Sequence, residues 1–237
     1  MTNAERYLNS FATIEKLLKK KLGAGNGKSF YQLVDLAAQR DREVRRYALD
    51  LKEYADLRNA IVHERSDGHV IAEPNDRAVG RIDQIKDLLI KPPTVIPAFQ
   101  RPVIAYPINA SLGQLVHEML RESISQVPVY DGEEFKGVLS SNTITRWLGH
   151  SVDDDLVSLN DTRLAAVMEY VENRDNHRFV GRNTTVLEAV ELFHAYEDMG
   201  KSLDAVLITQ NGKSTEKILG IMTVSDLPQA LKVTAVN

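Results

Sequence analysis

Two clusters of residues in this chain have types and spacings suited to chemistry. The first is Gly220-Ile-Met-Thr-Val-Ser-Asp226, where an apolar run from Lys217 ends in a hydroxyl and a carboxylate follows three residues on. Such a run reads as a strand, and Thr223 stands where it can cap a helix that starts there. The N–H groups of a helix N-terminus donate to phosphate oxygens, and the Asp226 carboxylate can take hydrogen bonds from both hydroxyls of a ribose. These are parts of a nucleotide site, although Thr223 and Ser225 would serve a plain helix cap equally well. The second cluster is Arg58-Asn-Ala-Ile-Val-His63. At helical spacing Asn59 and His63 share a face, and the long Arg58 side chain can swing toward it. A guanidinium stabilises charge building on a phosphodiester, and an imidazole that titrates near neutrality can move the 2′-hydroxyl proton. RNA cleavage of that kind needs no metal. A histidine near the helix C-terminal dipole, with Arg58 paired to Asp56 or Glu64, is the structural alternative.

Other groups point to no chemistry. Gly23-Ala-Gly-Asn-Gly-Lys-Ser29 resembles a phosphate loop, but Leu22 stands where the first glycine is required and a lysine-rich helix replaces the strand. It reads as a helix–helix connection. Asp153-Asp-Asp155 lacks the spaced ligands and glycine turn of a calcium loop, and His117, His150, His177 and His194 show no metal-ligand spacing. No metal site is expected.

The elements that carry Asp226 occur twice. A helix from Ser111 with Leu112, Leu115, Val116, Met119 and Leu120 on one stripe precedes the strand Gln126-Val-Pro-Val-Tyr, the turn Asp131-Gly132 and the strand bearing Gly137. Downstream, Val186, Ala189, Val190 and Phe193 form the stripe, followed by Ala205-Val-Leu-Ile-Thr, Asn211-Gly212 and the strand bearing Gly220. This is an internal duplication. From about residue 94 to 235 the pattern resembles a tandem pair of cystathionine-beta-synthase (CBS) domains, two β-α-β-β-α modules whose clefts hold adenosine nucleotides or S-adenosylmethionine. The modules fall at about 94–150 and 176–235, with a linker helix at about 160–172. The family signature, glycine, two apolar residues, a hydroxyl, two residues and Asp, is complete at Gly220, Thr223 and Asp226. In the first copy Ser140 matches but Thr143 replaces the Asp, which implies one competent cleft and one weak or empty one. The resemblance implies that the competent cleft also draws on Tyr106, Ile108, Ser125, Gln126, Val127 and Pro128.

Residues 1–91 read as four helices, at about Asn3–Leu22, Ser29–Ala38, Asp41–Glu64 and Asn75–Ile90, closed by Lys91-Pro-Pro93. The stripe of the third carries Val44, Tyr47, Leu51, Tyr54 and Ala55. A loop with Ser66-Asp-Gly68 and Pro74 follows it. With Arg58, Asn59 and His63 near the end of a long helix, this half resembles the HEPN superfamily. Many of its members are metal-independent ribonucleases whose site forms across a homodimer, while others keep only the scaffold. One toxin branch has Tyr two residues after the histidine, where this chain has Arg65.

The expected class is therefore α+β in two domains, an all-α four-helix HEPN-like bundle at 1–91 and a CBS pair at 92–237. Hydrophobic residues make up 43% and charged residues 26%, as in ordinary globular proteins, and there is no cysteine to form a disulfide or thiolate site. With no apolar stretch of ~18 residues and no leader-like start, the expected setting is cytoplasmic, without a membrane partner. Net charge is −4; residues 1–90 carry 16 Lys and Arg against 14 Asp and Glu, the remainder 13 against 19. Lys19–Lys21 and Arg40, Arg42, Arg45 and Arg46 are thus the cations on which RNA binding would depend. The expected function is a regulatory sensor of AMP, ADP or ATP, homodimeric or larger, requiring no cofactor. A nucleotide-gated ribonuclease using Arg58 and His63 is one alternative. A structural dimerisation module with degenerate clefts is the other.

Overall fold

The computed structural model describes residues 1–23, 27–63, 65–66, 69–70, 73–151 and 157–236. Asp153–Asp155 and part of the Gly23–Ser29 connection lie outside these residues. Two compact units divide the chain, one of residues 1–93 with 231–237 and one of residues 94–230. The last seven residues therefore belong with the helical unit, not with the second domain where the sequence pattern puts them.

In the first unit, α1 (Asn3–Leu22) opens on a capping box in which Thr2 and Glu5 satisfy each other's backbone N–H groups, and it ends in Lys19–Lys21. Its buried stripe is Tyr7, Phe11, Ile14 and Leu18. Ser29 and Gln32 cap α2 (Phe30–Ala38) in the same way. The third helix is not continuous. α3 (Arg42–Arg46) stops at Tyr47, whose φ of −105° and ψ of 12° leave the helical region, and α4 runs from Ala48 to His63. The break lets Val44 and Tyr47 enter the same core as Leu51, Tyr54 and Ala55, and the Tyr47 hydroxyl donates to the Thr234 carbonyl at 2.6 Å. After α4, residues read from sequence as loop include β1 (Arg65–Ser66) and β2 (His69–Val70), an antiparallel pair. Asn75 caps α5 (Asp76–Ile90), which buries Val79, Ile82, Ile85 and Leu89. The Tyr7 hydroxyl ties α1 to the Tyr54 carbonyl at 2.8 Å, and Arg81 pairs with Asp50 at 2.9 Å.

The second unit begins with a short helical turn, α6 (Val95–Ala98). The first module follows as β3 (Tyr106–Pro107), α7 (Leu112–Glu122), β4 (Gln126–Asp131), β5 (Glu134–Ser140) and α8 (Ser141–Ser151). α9 (Leu164–Met168) leads to β6 (His177–Gly181), α10 (Val186–Asp198), β7 (Ala205–Thr209), β8 (Gly220–Met222), a 3₁₀ turn over Val224–Asp226 and the first turn of α11 (Leu227–Val233), whose last three residues fall in the first unit. Each module is a three-stranded sheet whose first two strands are parallel and whose last two are antiparallel. The β7 run is buried on both faces. Val206 and Ile208 pack with Val186, Val190 and Phe193 of α10, while Ala205 and Leu207 join Val138 and Ile221 in a cluster shared by the two sheets. Phe135 and Phe179 meet edge to face in that cluster, 4.9 Å between centroids.

Three elements depart from the sequence pattern. α9 covers five residues rather than 160–172, because the chain before it forms a turn over 159–161 that bonds to the first module. Leu112 and Leu164 N–H groups bond to the Thr162 and Ala110 carbonyls, at 2.9 and 3.0 Å. Leu120 is 79% exposed, so the α7 stripe narrows to Leu112, Leu115 and Met119. β8 keeps only three residues of the Lys217–Met222 run.

Candidate functional site

Asp226 is positioned by backbone packing that begins at Gly220. A side chain there would put its Cβ 2.2 Å from the Phe99 carbonyl oxygen, so only glycine lets the segment after α6 lie against β8. Gln100 bridges to Gly220 across that contact, and the next residue, Arg101, arrives beside the end of the strand. Beyond Met222, the 3₁₀ turn aims the Asp226 carboxylate back at its own start. Oδ2 accepts from the Thr223 N–H at 2.8 Å and from the Thr223 hydroxyl at 3.1 Å. Arg101 then clamps both oxygens, Nη1 to Oδ1 at 3.1 Å and Nη2 to Oδ2 at 2.7 Å, while Nη2 also reaches the Ile221 carbonyl at 2.7 Å. Asp226 is buried, while its partner Arg101 is 43% exposed.

The clamp borders a cavity of about 400 Å³ drawn from both modules, lined by Arg101, Ile104, Ser125, Gln126, Thr223 and Ser225 among others. That volume falls within the ~300–1,000 Å³ of small-molecule sites. Ser125, Gln126, Thr223, Ser225 and Asp226 are thus brought together. Tyr106, Ile108, Val127 and Pro128 are not among the lining residues. The Tyr106 hydroxyl donates to Glu118 at 3.1 Å, and burial, with Glu118 beside it, raises its pKa. Val127 is fully buried under α7, Pro128 is buried in β4, and Ile108 lines a separate cavity of about 230 Å³ with Lys136 and Met168. The strand alternation of β4 turns Val127 into the helix-facing core, and residues 101–104 take the place at the cleft that the resemblance gave to Tyr106 and Ile108. Arg101 had no sequence signal, because its partner is 125 residues away.

The related cleft of the first module is larger, about 710 Å³. Ser140 and Thr143, the counterparts of Thr223 and Asp226, are both buried and lie with hydroxyls 3.3 Å apart. No carboxylate stands at that position, but Asp204 enters from the other module. Asn176 donates to its Oδ2 at 2.7 Å and to the Val138 carbonyl at 3.1 Å. The larger cleft thus has carboxylates only from outside the motif position, Asp204 among them, whereas the smaller has Asp226 at that position. Chemistry is the better guide to a ribose site, since a diol is recognised by acceptors rather than by volume.

In the helical unit, Arg58 Nη1 donates to Asn59 Oδ1 at 3.1 Å. The side chain of His63 lies outside the described residues, and with it the geometry of the Arg58, Asn59 and His63 trio. Several cations that RNA would need have structural partners: Lys19 pairs with Glu15 at 2.6 Å, Lys21 with Asp41, and Arg45 Nε donates to the Ala38 carbonyl at 2.9 Å. Among the described residues no three His, Asp or Glu side chains group as metal ligands, and no helix is long and apolar enough to cross a membrane.

None of the curated proteins compared with the chain matches it. Solved structures similar to it include a CBS domain protein from Thermoplasma acidophilum, 14% identical, covering 60% of this chain and 73% of that one with a TM-score of 0.44. A CBS domain pair in complex with 5′-methylthioadenosine and S-adenosyl-L-methionine is 15% identical and covers 60% and 98%, with a TM-score of 0.45. The CBS domain of a bacterial CNNM/CorC family Mg²⁺ transporter is 16% identical over 69% and 88%, with a TM-score of 0.43. The CBS-domain family model matches residues 85–150, a stretch that runs from the end of α5 to within a residue of the end of α8.

Proposed function

We propose that this protein is a regulatory sensor of adenine nucleotides, with AMP, ADP or ATP seated in the cleft beside Asp226. The observation that carries this reading is the Asp226 carboxylate, held by its own Thr223 N–H and hydroxyl at the edge of a cavity that takes residues from both modules. A fixed charged acceptor loses little freedom when it binds a ribose diol. Because the cleft is built from both modules, a bound nucleotide stabilises one arrangement of them, and the helical domain is the element that transmits this state through a homodimer. Adenine recognition, the homodimer and the coupling to a HEPN-like domain come from the resemblances. Titration calorimetry of the whole chain with AMP, ADP and ATP tests the reading, with S-adenosylmethionine as a fourth ligand sharing the adenosine. A saturable heat with one of the three nucleotides is expected. No heat with any of them, up to millimolar concentration, overturns it.

A further inference from the structure

We propose that Arg101 is an internal occupant of the nucleotide cleft that becomes its phosphate-recognising residue when ligand enters, so that the cleft selects phosphorylated over unphosphorylated adenosine. This rests on the nucleotide reading of the Asp226 cleft. As it stands the carboxylate has one open acceptor position, on Oδ1, too few for the two hydroxyls of a ribose. Oδ2 takes the Thr223 N–H, the Thr223 hydroxyl and Arg101 Nη2, and Oδ1 takes Arg101 Nη1. A ribose diol needs acceptor positions on that same carboxylate, and the two Thr223 donors are local to the turn. The group that must leave is therefore the guanidinium, which comes from a distant part of the chain and is the more exposed partner of the pair.

Once displaced, Arg101 has a charge to satisfy inside the cavity it already lines. The other charged residue lining the cavity, besides Asp226, is Glu122, which accepts from Arg121 Nε at 2.9 Å and would repel a phosphate. The phosphate must therefore be gathered on the Arg101 side. A planar guanidinium suits this exchange because its fork fits a carboxylate and a phosphate equally well. For a nucleotide the exchange is charge for charge: ribose replaces Arg101 on Asp226, and phosphate replaces Asp226 on Arg101. Adenosine breaks the same ion pair and returns nothing to the guanidinium. The path of the main chain helps, since the Gly220–Phe99 approach fixes the backbone one bridge away from Arg101 and leaves its side chain to move.

The test is calorimetry of adenosine and AMP on the full chain, on Arg101→Ala and on Arg101→Lys, with thermal unfolding of each as a check on folding. Wild type should prefer AMP to adenosine by at least tenfold. Arg101→Ala should bind adenosine several-fold tighter than wild type, because the competitor is gone, and its AMP-to-adenosine ratio should fall toward one. Arg101→Lys lacks the bidentate fork but keeps the charge, so it should gain adenosine affinity while retaining part of the phosphate preference. Wild type binding both ligands equally overturns the proposal. So do variants that bind with an unchanged ratio and no gain for adenosine, and both results leave the nucleotide reading intact. No binding of either ligand by any of the three proteins overturns that reading and this proposal together.

Discussion

The Asp226 carboxylate is held by four hydrogen bonds from two residues, and only one of those residues is visible in the sequence. Thr223 is three positions away and belongs to the same motif; Arg101 is brought in by the fold. Replacing Asp226 by Ala removes the charged acceptor and leaves Arg101 in the cleft, so AMP affinity should fall by at least about tenfold, or roughly 1.5 kcal/mol, in calorimetry. Thr143→Ala should leave AMP affinity within about twofold, since Thr143 is buried against Ser140 in the other cleft. Equal AMP affinity for wild type and Asp226→Ala would remove Asp226 from the site. Gly220 was legible as the first residue of the motif, but its reason was not. The closest atom to its missing side chain is a carbonyl oxygen 121 positions earlier. Gly220→Ala should lower stability by roughly 2–3 kcal/mol in urea unfolding, as forced overpacking does. A loss under 0.5 kcal/mol would mean that the Phe99 segment is free to shift.

Among the elements, those with clear periodicity stand where the sequence puts them. α10 buries Val186, Ala189, Val190 and Phe193, and β7 buries its whole run, because period and core face coincide. The misreadings occur where tertiary contacts override the local pattern. Val44 and Tyr47 keep a helical spacing with Leu51 and Tyr54, yet the helix breaks between them so that all four reach one core. Residues 160–163 give up helix to serve the backbone ahead of α7. In β6, His177 packs edge to face on Phe135 and Phe179, at 4.9 and 5.8 Å between centroids. Burial first, then the Arg178 charge, lowers its pKa from the ordinary 6.5, with Asp175 opposing. The folded state thus disfavours the imidazolium. Stability from the neutral ring is complete above about pH 6.5 and is lost as the pH falls toward the lowered folded value. The urea midpoint should decline between pH 7.5 and 5.5, and His177→Gln should flatten that decline. An equal slope in both proteins would place the titration elsewhere. A separate acid window belongs to Glu216, which is held at about 2 by side-chain and backbone N–H donation from Asn211. Its contribution is complete above the usual 4.5 and is lost progressively as the pH falls from there to about 2, and a carboxyl resonance of Glu216 should titrate near 2 by NMR and not near 4.5.

At the scale of the whole molecule, the duplication is what the sequence carries most plainly, because each copy repeats a helix stripe, a buried strand, a glycine turn and a second strand. The return of the C-terminus is invisible to any local pattern. Residues 231–237 belong to the helical unit, where Val236 packs on its core and the Thr234 carbonyl receives the Tyr47 hydroxyl. Removing residues 231–237 should therefore lower the stability of the helical unit by about 1–3 kcal/mol, as loss of a buried hydrogen-bond acceptor and its packing does. Hydrogen exchange at Leu51 and Tyr54 amides reads this directly, and unchanged protection there would show that the tail is dispensable. Homodimerisation predicts about twice the 26.6 kDa of one chain by light scattering at micromolar concentration, and a mass of one chain refutes it. A crystal structure grown with AMP locates the nucleotide. The ribose hydroxyls should lie within 3.2 Å of the Asp226 carboxylate, with Arg101 turned away from it. AMP found only in the cleft of Thr143 and Asp204, with the Arg101–Asp226 pair intact, would contradict the account.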